Sequence, residues 1–150
     1  MTGAPTARLV LAGRGVVDGR ATGRALVCTA PVSGWGGIDP STGVIVESRH
    51  PQRGESFAGG VLVLPGAKGS SGWSGQFHLA KLQGTAPVAV VFTRMNSKLA
   101  LGLVVLDVPA VTELDTDPIT ALHTGDLLDV DGTAGTVRVL TGEEHGNGRQ

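Results

Sequence analysis

Apolar positions in this chain follow two rhythms, and the change between them falls near residue 60. Before it, short apolar runs alternate with glycine-rich polar stretches, which predicts strands joined by turns. Ala7 to Ala12 is the first strand, Gly13 to Gly19 a glycine-punctuated turn, and Ala25 to Cys28 a second strand. Pro31 to Gly43 is irregular and contains the turn Asp39-Pro40-Ser-Thr-Gly43. Val44 to Val46 makes a third strand, and Glu47 to Ser56 a polar loop. After residue 60 the order becomes strand (Val61 to Leu64), helix (Ser74 to Leu82) and strand (Ala89 to Phe92). A helix from Ser97 to about Leu103 and a strand beginning at Pro109 to Val111 follow. This βαβ alternation predicts parallel strands joined by right-handed crossovers. Leu127 to Val130 and Thr136 to Leu140 flank Asp131-Gly132, a hairpin signal whose loop is lengthened by Thr133-Ala-Gly135.

The fold class is therefore mixed α/β: a short parallel βαβ unit with flanking antiparallel strands, as a β/β/α sandwich or open barrel. With no internal repeat and no linker, residues 1–150 are expected to form a single domain. Its core would span about 7–140, with a frayed polar tail over 141–150.

Most of the candidate chemistry lies in Val61-Leu-Val-Leu-Pro-Gly-Ala-Lys-Gly-Ser-Ser-Gly-Trp-Ser74. Four apolar residues suit a strand covered on both faces, and Pro65-Gly66 ends it. Ser70, Ser71 or Ser74 would then cap the following helix. Free backbone N–H groups gather at such a helix start and favour carboxylate or phosphate, with serine hydroxyls beside the anion. Ligands bind at the carboxyl ends of parallel strands, which puts this loop, and Thr93 to Ser97 after the next strand, at the ligand edge.

Composition narrows the picture. The net charge of −1 and the absence of a basic run argue against nucleic acid or an anionic membrane as partner. No apolar stretch approaches the ~18 residues of a bilayer span. Met1-Thr-Gly-Ala-Pro5 has no signal-peptide pattern, and a cytoplasmic location is expected. Cys28, the single cysteine, lies in an apolar strand and reads as a buried hydrophobe. One thiolate does not hold an iron–sulfur cluster, so this chain alone is expected to bind no cofactor and no metal. The 24 glycines mark many tight turns, and with three Phe, two Trp and no Tyr the core must be largely aliphatic.

Several motifs run in order from about residue 12 to 140: Gly13-Arg-Gly15, Trp35-Gly-Gly-Ile-Asp-Pro-Ser-Thr-Gly43, Arg49-His-Pro51 and Gly54-Glu-Ser56. Gly60-Val-Leu-Val-Leu-Pro65, Lys68-Gly-Ser-Ser71 and Gly125-Asp to Val130 complete the set. On these residues the chain resembles the small subunit of the aconitase X family, a swivelling β/β/α domain. The resemblance implies a hydro-lyase subunit, active in a heterodimer with a large subunit that carries an iron–sulfur cluster. Its substrate would be a small anionic hydroxy acid, either a phosphomevalonate or cis-3-hydroxy-L-proline. It also implies that Ser70 is the proton acceptor. Beside it, Lys68, Gly69, Ser71 and Ser74 are assigned to substrate binding, with Ser71 and Ser74 otherwise helix caps and Lys68 otherwise a solvated loop charge. The family usually has Arg where Lys68 stands, and Lys loses the bidentate fork. Gly72-Trp73 also departs from the family pattern, implying a changed outer pocket.

Trp35, Asp39, Arg49 and His50 are assigned to the edge facing partner or substrate. Each has a plainer reading: Trp35 as a loop anchor, Asp39 as the closing residue of its turn, Arg49 and His50 as a solvated loop. His78 and His123 have no third ligand in a recognisable spacing. An alternative function is a non-catalytic interaction module whose Gly/Ser loop binds an anionic ligand or a partner chain. A third, a phosphohistidine-carrying swivel domain, would need His50 in a mobile loop.

Overall fold

The computed structural model of the chain describes residues 6–68, 72–94 and 97–141, with side chains at all of these except 6, 7, 67, 68, 98 and 141. The elements run β1 (Thr6–Ala12), β2 (Arg14–Val17), β3 (Arg20–Val27), β4 (Val32–Ser33), β5 (Ile38–Asp39), β6 (Val44–Ile45), β7 (Val61–Leu64) and β8 (Ala67–Lys68). They continue with α1 (Trp73–Gln83), β9 (Ala89–Phe92), α2 (Ser97–Leu106), β10 (Ala110–Thr112), α3 (Pro118–Ala121), β11 (Leu127–Asp131) and β12 (Thr136–Thr141).

Eight strands form one sheet in the order β1-β12-β11-β3-β7-β9-β10-β2. Its centre, β3-β7-β9-β10, is parallel, as the βαβ rhythm requires. Antiparallel β11, β12 and β1 extend one side and β2 the other. β7 is buried along its whole length because both faces are covered. Leu62 and Leu64 meet Trp73, Phe77, Leu99 and Leu103 of the helices, while Val61 and Val63 join Val91, Val130 and Val137 in a second cluster. Each such side chain contributes roughly 1.5–3 kcal/mol through burial.

β1 and β2 follow one another in the chain yet stand at opposite edges of the sheet, so the sheet must roll until those edges approach. The contacts agree: the amide of Gly13 donates to the carbonyl of Gly135 at 2.8 Å, and that of Gly132 to Gly19 at 2.8 Å. The turn predicted over Gly13 to Gly19 therefore contains a strand, β2, which has too few apolar positions to register as one. Likewise the irregular stretch Pro31 to Gly43 carries the two-residue strands β4 and β5, whose pairing partners lie elsewhere in the chain or across a turn. α3 was not legible as a short helix in advance, although Asp117 caps it, its side chain accepting from the Ile119 amide at 3.0 Å with Pro118 at the first turn. At the hairpin, the Asp131 carboxylate accepts the amides of Thr133 and Ala134, which closes the lengthened loop. The tail expected to fray lies, from residue 142, outside the described residues.

Candidate functional site

The loop between β7 and α1 leaves the carboxyl edge of the parallel strands. Beside it, the Thr93 amide at the end of β9 donates to the Leu64 carbonyl at 3.2 Å. The loop opens with β8, which pairs in parallel with β4 so that Lys68 stands in register with Ser33. It closes at Gly72, the N-cap of α1, in a left-handed conformation (φ 93°) that glycine tolerates. No side chain caps this helix, so the expected serine cap is absent. Ser74 instead sits exposed in the first turn. Gly69, Ser70 and Ser71, the centre of the expected site, lie outside the described residues, as does the side chain of Lys68.

Trp73 is only 1 % exposed, and its ring packs on Phe77 with centroids 4.9 Å apart. It belongs to the helix-side core, which corrects the expectation that it alters an outer pocket. Its Nε1, and the Oγ1 of Thr93 beside the end of β7, are buried without a hydrogen-bond partner among the described residues. Sequence reasoning missed this pair of unsatisfied polar atoms, because nothing local marks a tryptophan as buried.

Two surface grooves border the segments that pack against the loop. One, of ≈ 400 Å³, is lined by Trp35, Ile38, Asp39, Pro40, Val46 and Gln76. Trp35 is 75 % exposed there. Asp39 holds its own turn: its carboxylate accepts from the Ser41 amide (3.0 Å), the Ser41 hydroxyl (2.7 Å) and the Thr42 hydroxyl (3.0 Å). The Ser41 bonds first, then the Thr42 hydroxyl, hold its carboxyl below the usual range. The second groove, of ≈ 410 Å³, is lined by Ala30, Pro31, Glu47, Ser48, Arg49 and His50 with Pro51. Arg49 is exposed on a left-handed backbone (φ 65°).

His50 departs from the expectation of an available edge residue. It is 7 % exposed, its Nδ1 accepts from the Gln52 amide at 3.0 Å, and its Nε2 lies 3.0 Å from the Ala30 carbonyl. An amide at Nδ1 requires the proton on Nε2, which then donates to Ala30. With both ring nitrogens engaged, this histidine pins the 47–53 loop to the chain beyond β3, and it does not suit a phosphoryl carrier.

The chain's own residues do not fit an iron–sulfur cluster. Cys28 is fully buried, and its thiol is pushed up to about 12 by burial, with a smaller contribution from Glu55. Among the described residues, no group of three or more His, Cys, Asp or Glu is placed to hold a metal ion. Nor is any described helix long and apolar enough to cross a membrane. In the native protein at pH 8, iodoacetamide is expected to leave Cys28 unmodified, and to modify it once the chain is unfolded; mass spectrometry of the two samples checks this.

Comparison with known proteins decides the family. The model of the aconitase X swivel domain matches residues 10–139. The chain belongs to the aconitase X swivel family. It is similar to the phosphomevalonate dehydratase small subunit of Methanocella arvoryzae, at 36% identity over 127 residues that cover 85% of this chain and 96% of the relative. The protein of the same name from Methanosarcina acetivorans is 35% identical over 130 residues, covering 87% and 90%. The crystal structure of holo-form Thermococcus kodakaraensis aconitase X matches with a TM-score of 0.83 at 35% identity, covering 88% of this chain and 98% of that one. The aconitase X swivel fold thus accounts for the mixed sheet and for the loop at its carboxyl edge.

Proposed function

We propose that the chain is the small subunit of a two-subunit aconitase X-type hydro-lyase that dehydrates a small anionic hydroxy acid of the phosphomevalonate kind. The observation that carries this reading is the similarity, over at least 85% of the chain, to relatives named phosphomevalonate dehydratase small subunit. Ser70 is the proposed base, taking the proton from the carbon beside the substrate carboxylate. The uncapped N–H groups at the start of α1 and the charge of Lys68 offset the developing negative charge. Gly69, Ser71 and Ser74 surround the anion with backbone and hydroxyl donors. Trp35 and Arg49, both exposed, face the large subunit or the outer part of the substrate. On this reading an iron–sulfur cluster on the large subunit supplies the Lewis acid for the departing hydroxyl, a role that the buried Cys28 does not fill.

Reconstitution with the large subunit tests the proposal. The mixture is expected to dehydrate phosphomevalonate, and either chain alone to be inactive. A stable complex that dehydrates neither phosphomevalonate nor cis-3-hydroxy-L-proline would overturn the reading and favour the interaction module.

A further inference from the structure

Two carboxylates are buried among the described residues. Asp129 takes the guanidinium of Arg20, with contacts of 2.6–3.2 Å, in a pair between β3 and β11. Glu47, 8 % exposed, holds the turn at Ser33. Its Oε1 accepts both the amide and the hydroxyl of Ser33, each at 2.8 Å. The amides of Val46 and Glu47 in turn donate to the carbonyl of Gly37, at 2.9 and 3.2 Å. Residue 47 therefore grips the 33–37 turn at both ends. The turn is too tight for a side chain at Gly37, where a Cβ would come within 2.0 Å of the Ser33 carbonyl oxygen and 2.9 Å of Glu47 Oε1.

What this turn touches gives the grip its meaning. Ser33 is in register with Lys68 at the entrance of the serine loop. At the exit, a Cβ on Gly34 would lie 2.6 Å from the Trp73 amide nitrogen, and one on Gly72 would lie 2.6 Å from the Trp35 Cβ. The strap Ser33–Trp35 is thus in backbone contact with both ends of the loop that carries Ser70. We infer that Glu47 is a positioning residue of the reaction: by fixing Ser33 it fixes the strap, and through the strap the loop that presents Ser70. A buried acceptor suits this task because water does not compete for Ser33. The inference rests on the proposed role of Ser70.

The test uses the complex with the large subunit and phosphomevalonate. Glu47→Ala is expected to lower kcat about 10- to 100-fold while KM moves little, as small misplacements of a catalytic group do. Glu47→Gln keeps an acceptor oxygen for Ser33 and is expected to recover most of the rate. In a Ser70→Ala background, Glu47→Ala is expected to have no further effect, since it acts through that serine. A general loss of folded protein would instead scale down the residual rate too. If Glu47→Ala yields no complex, Ser33→Ala carries the test, with a smaller drop in kcat that also vanishes in the Ser70→Ala background. Wild-type kcat in Glu47→Ala, a Gln variant no better than Ala, or additive losses would overturn the inference. A Ser70→Ala enzyme of near wild-type rate would overturn the proposed function and this inference with it. An inactive Ser70→Ala beside fully active Glu47→Ala and Ser33→Ala would overturn the inference alone.

Discussion

Ser70→Ala in the assembled two-subunit enzyme is expected to lower kcat for dehydration about 10²- to 10⁴-fold, the usual contribution of one general base. Elimination of water requires a base at the carbon next to the carboxylate, and an ordinary serine hydroxyl is far too weak an acid to provide an alkoxide. Positive potential must lower that cost. Here it would come from first-turn N–H groups of α1, which no side chain occupies as a cap, and from the charge of Lys68. Substrate binding relies on the same donors and is retained when only the hydroxyl is removed, so KM is expected to stay close to its original value. Steady-state kinetics with saturating large subunit make the comparison. If Ser70→Ala turns over at near wild-type rate, the serine is not the base, and an anion-binding loop without chemistry becomes the better account.

Gly132→Ala is expected to damage the fold severely. A Cβ there would lie 1.8 Å from the Val17 carbonyl oxygen, and the reciprocal change at Gly15 would bring a Cβ 1.8 Å from the Gly132 carbonyl oxygen. Both obstacles are backbone, so no rotamer change relieves them. These glycines stand where β2 meets the β11–β12 turn, the approach of opposite sheet edges. The sheet must open there to admit a methyl group, and the loss is expected to be about 3 kcal/mol or more. Gly75→Ala is the control: its Cβ meets nothing within 4 Å, and α1 gains a better helix former. Denaturant unfolding of the isolated chain reads both effects. A Gly132→Ala midpoint equal to that of the unchanged chain would show that the edges are not in contact.

The order β7 then α1 was legible because strand, breaker and helix follow one another within a few residues. The family was legible because its motifs keep their order. Glu47 was not, since it reads as one more charge in a polar stretch; only the return of the chain places it under Ser33. His50 misled for the same reason. A histidine before proline in a polar loop looks solvated, yet the Ala30 carbonyl and the Gln52 amide take both ring nitrogens. Trp73 misled because helix periodicity does not say which face α2 will cover.

Local hydrophobic rhythm was enough to set the strand at Val61–Leu64, the helix after it and the parallel pairing of β7 with β9, because those depend on neighbouring residues and a short crossover. Contacts between distant segments settled the rest. β2 is a strand because β10 lies beside it, and β4 because β8 does. Two-residue strands and a rolled sheet edge carry too little hydrophobic pattern to announce themselves, and their free energy arises only when the partner backbone arrives to take their hydrogen bonds.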